Sequence, residues 1–324
     1  MLQQPFMLII FGPTGVGKSD AAIAIAQKFP AEIINIDMGQ LYTPLTIGTA
    51  KPAWREEQVP HHLFDVIDEP IAFTVTAYRA RIKALLHDIW SRGKLPILVG
   101  GSGFYLKSLF FPPRSPTIDC EPSELQTIPE DLLWAKLNDV DPERAQQLHP
   151  HDTYRIKRAL AIWFTTHIKP STQKPQFVPL APFKLICFTR DRNQLYERIN
   201  MRVDQMMYEG WMHEVAQLKN SPWEDFLRTK KIIGYDVLLD FLSNEQTQQK
   251  LAQAIDEIKQ KTRNYAKRQL TFWRMLEREL QEAITLREKS ATITSEIESV
   301  NLTLCDINLY IDLLQRQLLP YFSN

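Results

Sequence analysis

The sequence predicts an α/β fold: a parallel sheet flanked by helices, with a small helical insertion and a helical C-terminal half. Three observations predict it. Short apolar runs alternate with helix-period segments through the first hundred or so residues, the pattern of strands joined by crossover helices. Between the first apolar run and the first helical stretch lies Gly12-Pro13-Thr14-Gly15-Val16-Gly17-Lys18-Ser19, a complete G-x-x-x-x-G-K-[ST] phosphate-binding loop, or P-loop. Finally, two proline-rich breaks, over 111–116 and 170–182, bracket a helical stretch that interrupts the sheet pattern.

Taken in order, Met7-Leu8-Ile9-Ile10-Phe11 is unbroken apolar sequence, as in a strand covered on both faces. The loop follows, and then the Ala-rich helix Asp20-Ala21-Ala22-Ile23-Ala24-Ile25-Ala26. The chemistry needs that order. Glycines let backbone N–H groups wrap an anion, and the helix N-terminus adds a favourable dipole. Lys18 supplies a point charge to terminal phosphates, and Ser19 a hydroxyl to Mg²⁺. A glycine-rich turn without a ligand is the bland alternative, and the flanking strand and helix argue against it. A second apolar run, Glu32-Ile33-Ile34-Asn35-Ile36, ends at Asp37. Residues 38–70 read as loop, punctuated by Gly39, Pro44, Gly48, Pro52 and Pro60. Tyr78, Ile82, Leu85, Leu86 and Ile89 mark a helix over 76–90, closed by Arg92-Gly93. A third strand, Pro96-Ile97-Leu98-Val99, stops at Gly100-Gly101-Ser102-Gly103. In such a sheet ligands bind beyond the C-terminal ends of the strands.

Residues 131–166 are helical in pattern, Phe183-Lys184-Leu185-Ile186-Cys187-Phe188 reads as a strand returning to the sheet, and 192–208 as a helix. The expected division is therefore 1–112 for the first part of the core, 113–182 for the insertion, and 183–324 for core completion and C-terminal helices. Residues 285–324 read as amphipathic helix.

Composition narrows the function. Lys plus Arg and Asp plus Glu both number 38 in 324 residues, so the formal net charge is zero. This excludes a uniformly basic nucleic-acid binder but allows a local basic patch. Cys120, Cys187 and Cys305 lie far apart, and no CxxC pair suggests zinc or a disulfide framework. His61-His62 and the pair His149 and His151 lack metal-ligand spacing and read as structural. No apolar run approaches the roughly 18 residues of a membrane-spanning helix, and no leader pattern opens the chain, so a cytoplasmic protein without membrane contact is expected.

Several residues are candidates for chemistry. Asp37, at the end of the second strand, fits a proton acceptor or a water-mediated Mg²⁺ ligand equally with an Asp that caps a turn. The third strand ends without the carboxylate that many nucleotide hydrolases use to hold Mg²⁺, which weakens an ATPase reading. Arg198 and Arg202 share one helical face, available either to a diphosphate or to solvent and the neighbours Glu197 and Asp204. Basic residues recur in Tyr154-Arg155-Ile156-Lys157-Arg158, in Lys230-Lys231-Ile232-Ile233-Gly234-Tyr235, and along Lys259, Lys261, Arg263, Lys267 and Arg268 with Tyr265, Phe272 and Trp273 interleaved. Three such segments on a neutral chain suggest a basic surface for RNA phosphates, with aromatics for stacking.

Together these segments resemble the tRNA dimethylallyltransferases, also called tRNA isopentenyltransferases, from about residue 7 to 274. The resemblance rests on the phosphate-binding loop, Ile36-Asp37-Met38-Gly39-Gln40-Leu41-Tyr42, Ile47-Gly48-Thr49-Ala50-Lys51-Pro52, Pro60-His61-His62-Leu63, Val99-Gly100-Gly101-Ser102-Gly103-Phe104-Tyr105, Ile233-Gly234-Tyr235 and Thr262-Arg263-Asn264-Tyr265-Ala266-Lys267-Arg268-Gln269. It implies transfer of a dimethylallyl group from its diphosphate to N6 of an adenosine beside the anticodon. The nucleotide-binding, ATP-binding type of loop (Gly12 to Ser19) would hold the diphosphate instead of a nucleotide. Asp37 would be the general base, Arg202 and Lys18 would stabilise the leaving diphosphate, and Ser19 would bind Mg²⁺. Asp37, Met38, Gly39, Gln40 and Ser102 would hold the flipped adenine. Tyr154, Arg155, Ile156, Lys157 and Arg158, with Lys231, Ile232, Ile233, Gly234, Tyr235 and Asp236, would contact the anticodon stem-loop of tRNA. A monomer is expected. Met38 and Ser102 depart from the family's usual Ser and Thr, the insertion is short, and a basic residue usual near Asp236 is missing. A P-loop nucleotide kinase and an adenylate isopentenyltransferase are the competing enzymes; a non-enzymatic RNA-binding module leaves the phosphate-binding loop unexplained.

Overall fold

The computed structural model describes residues 1–113, 122–173, 175–288 and 295–322. Cys120 lies outside them. Six strands form one parallel sheet: β1 (Met7–Phe11), β2 (Ala31–Asn35), β3 (His61–His62), β4 (Leu95–Gly100), β5 (Phe183–Thr189) and β6 (Glu296–Asn301), in the order β3-β2-β4-β1-β5-β6. β1 is central, with Ile10 opposite Val99 on one side and Ile186 on the other. Every residue of β1, β2 and β4 is buried, which is why β1 and β4 read as unbroken apolar runs without alternation.

The two polar residues of β2 are paired rather than exposed. Glu32 accepts bonds from Arg92 at 2.7 Å and Lys94 at 2.8 Å, and lies 2.7 Å from His62 Nε2. Burial pushes its carboxyl up, but the three partners together hold it down at about 2. Asn35 donates to the carbonyls of Asp37 and Leu63, both at 2.9 Å, and its Oδ1 accepts the Asp37 N–H at 2.7 Å. The Asp37 backbone is thus fixed by the strand that leads to it.

The chain divides into two compact units. One is Met1–Phe110 with Pro179–Asn324, and the other is Phe111–Val178. The second has its own core, in which Leu133, Leu137, Leu148, Ile156 and Leu160 are buried. Within it Asp141 caps the Pro142–Gln146 helix through the Arg144 N–H, and Asp152 caps Thr153–Thr166 through the Arg155 N–H.

Residues 295–322 correct the expectation of a continuous amphipathic helix over 285–324. A helix of 41 residues, Gln248–Glu288, extends into this region, but β6 and the helix Ile307–Leu318 follow. β6 reads Glu-Ile-Glu-Ser-Val-Asn, too polar for a sheet interior. It is an edge strand, so charge can occupy its open side. Glu296 and Glu298 pair with the buried Lys184 of β5 at 2.9 and 3.4 Å. Tyr310, Ile311, Leu314 and Leu318 of the last helix join the cluster around the helix that follows the phosphate-binding loop. Likewise His61–His62 forms a two-residue strand inside a segment expected to be loop, with Ile33 opposite His61. No helix among the described residues is long and apolar enough to cross a membrane.

Candidate active site

The phosphate-binding loop joins β1 to the helix Lys18–Ala26. The residue before that helix, Gly17, has φ 104° and carries no side chain to cap it. The first N–H groups of a helix have no partner within it, so an uncapped N-terminus is open to an anion. Lys18 folds back over the loop and donates to the Pro13 carbonyl at 2.9 Å. Burial lowers its ammonium to about 8; neighbouring Arg202 adds to this and Asp37 opposes it.

Asp37 lies beyond the end of β2. Its Oδ1 accepts the Gly39 N–H at 3.1 Å, so it does cap a turn, and among the described residues its other oxygen accepts no hydrogen bond. The two readings of Asp37 are therefore compatible: one oxygen fixes the carboxylate and the other is available. Burial raises its pKa, while Lys18 pulls it back.

The Arg192–Tyr208 helix buries Leu195, Ile199 and Val203 and carries two arginines to the loop. Arg198 donates to the Gly15 carbonyl at 2.8 Å. Arg202 makes two long contacts, 3.5 Å to Thr14 Oγ1 and 3.4 Å to the Ala50 carbonyl. Weak ties on a half-buried guanidinium that lines the cavity leave its donors available to a ligand. Arg192 instead stacks over Tyr196, 5.3 Å from the ring centroid. Arg190, which the sequence did not single out, donates to the Val16 carbonyl at 2.9 Å and the Leu302 carbonyl at 3.0 Å, tying the C-terminal segment to the loop.

A cavity of about 400 Å³ gathers these groups. Thr14, Lys18, Ser19, Asp37, Gln40, Arg198 and Arg202 line it, with Ile33, Phe64 and Val99 as an apolar wall. Ser102 adjoins this site, its Oγ accepting the Met38 N–H at 3.0 Å. Gln40 donates to the carbonyls of Thr49 and Ala50 at 3.1 and 3.2 Å.

Gln269 closes the Thr262-to-Gln269 string that carries part of the family resemblance, but it was given no place in the site, and the structure puts it there. It is 5% exposed, its oxygen accepts the Thr14 N–H at 2.9 Å, and its amide donates to the Gly101 carbonyl at 2.8 Å. It thereby clamps the phosphate-binding loop to the loop after β4. A signal existed: Ala254, Ile258, Ala266, Gln269, Trp273, Leu276 and Leu280 form the buried stripe of one long helix, and Gln269 is its polar member.

The basic segments differ in accessibility. Tyr154 is 80% exposed, and Arg155 and Arg158 are also exposed, but Ile156 is in the core of the insertion. Lys231 is exposed, Ile232 and Ile233 are half-buried, and Gly234 and Tyr235 are buried, while Asp236 pairs with Lys261 at 2.9 Å. Ile156 and Tyr235 therefore support their neighbours and offer RNA no side chain. Lys259 pairs with Asp204 at 2.7 Å, and Trp273 is 3% exposed, which removes it from the expected stacking aromatics.

The comparisons agree on one family. The family model described as IPP transferase matches residues 40–276. A protein of Lacticaseibacillus casei named tRNA dimethylallyltransferase is 40% identical over 277 residues, covering 83% of this chain and 88% of its own. The crystal structure of the tRNA isopentenylpyrophosphate transferase of Bacillus halodurans is similar with a TM-score of 0.64 at 29% identity, covering 98% of this chain and 97% of that one. A eukaryotic dimethylallyltransferase acting on tRNA is similar with a TM-score of 0.76 at 29% identity, over 97% of this chain and 78% of that one. The phosphate-binding loop and Asp37 precede residues 40–276, and their hydrogen bonds and shared cavity tie them to the site. From the span of that match and the identity and coverage of its relatives, the chain belongs to the IPP transferase family of tRNA dimethylallyltransferases.

Proposed function

We propose that this chain transfers the dimethylallyl group of dimethylallyl diphosphate to N6 of the adenosine beside the anticodon in tRNA, releasing diphosphate. The observation that carries this reading is the convergence of the phosphate-binding loop, Asp37 and Arg202 on one cavity. The loop from Gly12 to Ser19 holds the diphosphate. N6 forms a bond to the first carbon of the dimethylallyl group as that carbon's bond to oxygen breaks, and the electron pair leaves with the diphosphate. Lys18 and Arg202 offset the charge that develops on the leaving oxygen, and burial of both strengthens the effect. The N6 proton passes to Asp37, whose raised pKa makes it the better acceptor.

Mg²⁺ fits this site. It commonly takes one or two protein oxygens and completes its shell with water and substrate phosphates. Ser19 and Asp37 place a hydroxyl and a carboxylate on the same cavity, and the described residues contain no cluster of three or more His, Cys, Asp or Glu that would hold a metal by itself. When bound, Mg²⁺ would neutralise diphosphate charge.

Met38, Gly39, Gln40 and Ser102 would hold the extruded adenine. Tyr154, Arg155, Lys157 and Arg158, together with Lys231, Ile232, Ile233 and Asp236, would meet the stem-loop. The protein would work as a monomer in the cytoplasm. The test is mass spectrometry of tRNA nucleosides after incubation with dimethylallyl diphosphate, beside an assay of ATP turnover. A prenylated adenosine next to the anticodon is the expected product. ATP turnover without prenylation would assign the chain to the nucleotide kinases.

A further inference from the structure

Two loops of the larger unit dock on one short helix, Trp211–Leu218. Its Glu214 accepts the backbone N–H groups of Thr46 at 2.9 Å, Ile47 at 2.7 Å and Gly48 at 3.2 Å, and the Tyr235 hydroxyl at 2.6 Å. The same helix buries Trp211. A Cβ at either Gly48 or Gly234 would overlap the Trp211 indole, so both loops lie against that ring as only glycine allows. This accounts for a glycine in each of two strings far apart in sequence, Ile47-Gly48-Thr49-Ala50 and Ile233-Gly234-Tyr235.

The first loop reaches the site. Beyond Gly48, the Ala50 carbonyl accepts from Arg202 at 3.4 Å and from Gln40 at 3.2 Å. The second loop is the 231–236 segment assigned above to RNA contact. Glu214 does not line the cavity. Its hydrogen bonds to backbone N–H groups are charge-assisted, the strong kind, and three converge on one carboxylate.

We propose that Glu214 is a positioning residue: it holds the 46–50 turn as a wall beside Arg202, with the Ala50 carbonyl 3.4 Å from the guanidinium limiting where that side chain can sit while its donors stay available to the diphosphate, and through Tyr235 it ties that turn to the segment assigned above to RNA contact. The proposal rests on the function assigned above. A mispositioned charge costs rate even when the substitution is remote from the chemistry.

A double-mutant cycle between Glu214 and Arg202 tests it, read both as inorganic diphosphate affinity and as transfer to an anticodon stem-loop. Glu214→Gln keeps the size of the side chain but removes one acceptor oxygen and the charge. It should weaken both readouts by about 10–100-fold. In an Arg202→Lys background the same substitution should add less than about twofold, because the interaction it supports is already gone. A purely structural Glu214 would instead give the same fold-loss in both backgrounds, which overturns the proposal. So does Glu214→Gln within about twofold of wild type, the width of ordinary additivity. Should thermal denaturation show Glu214→Gln unfolded, Tyr235→Phe takes its place in the cycle, with one hydroxyl removed and the ring kept. The same non-additivity is expected and additivity again overturns the proposal. Wild-type protein that binds diphosphate but transfers nothing would refute the assigned function and leave the diphosphate-binding arm of the cycle as a separate test of Glu214.

Discussion

Substituting Gln269 by Leu should damage the phosphate-binding loop while nearly preserving core volume. Gln269 satisfies two backbone groups across the site, the Thr14 N–H and the Gly101 carbonyl. The Gly101 carbonyl is buried and costs about 1–3 kcal/mol when left without a partner, while the part-buried Thr14 N–H faces the cavity and adds less, so the loss should be about 1–3 kcal/mol. A typical domain is stable by only about 5–15 kcal/mol, so the variant should show a clear drop in its urea midpoint. Diphosphate affinity should fall with it, since Thr14 is in the loop. Gln269→Glu sharpens the reasoning. At neutral pH it keeps an acceptor for Thr14 but sets a second oxygen against the Gly101 carbonyl. Protonation restores a donor there. The introduced carboxyl is then protonated preferentially in the folded state, so its folded pKa is raised above the unfolded value. Stability relative to wild type should be recovered at low pH and lost as pH rises through that raised pKa. If Gln269→Leu has a urea midpoint and a diphosphate affinity like wild type, the clamp is not what orders the loop.

Three further outcomes follow from the geometry. Asp37→Asn should leave folding and RNA binding intact and cut single-turnover transfer by about 10²–10⁴, the usual weight of a general base; transfer within a few-fold of wild type would remove Asp37 from that role. Lys18 loses its charge as pH rises through about 8, so diphosphate affinity of the free protein, followed by calorimetry, should decline above that pH. The folding term has the opposite sign: with Lys18 lowered from 10.5, the unfolded chain holds more protons between about 8 and 10.5, and the Lys18 contribution to stability rises with pH there. Neutralising Arg155, Lys157 and Arg158 together should weaken stem-loop binding and reduce its salt slope by about 0.7–0.9 per lost phosphate contact, measured by titration across salt.

The parts legible in the sequence are those whose chemistry is local. The phosphate-binding loop announces itself because glycines, lysine and a helix start must be contiguous. Asp37 and Arg202 were reachable because each follows a core strand, and parallel strands deliver their C-terminal ends to one side. What escaped notice depends on contacts across long sequence distances. Gln269 is 255 residues from Thr14, and its periodicity looks like ordinary core until its polarity is weighed. Glu214 resembles any exposed helical glutamate, since its partners at 46–48 are backbone groups that no residue type reveals. β6 was hidden by its polarity at the sheet edge: its two apolar residues, Ile297 and Val300, stand three apart, the spacing of one face of a helix.

The most direct measurement compares acceptors. With radiolabelled dimethylallyl diphosphate, the wild-type protein should transfer label to an anticodon stem-loop with adenosine beside the anticodon and transfer little to AMP, because under the proposed function the exposed cations at 154–158 and at Lys231 would meet a stem-loop and not a free nucleotide. Efficient labelling of AMP, with none of the stem-loop, would contradict the account and move the chain to the adenylate isopentenyltransferases.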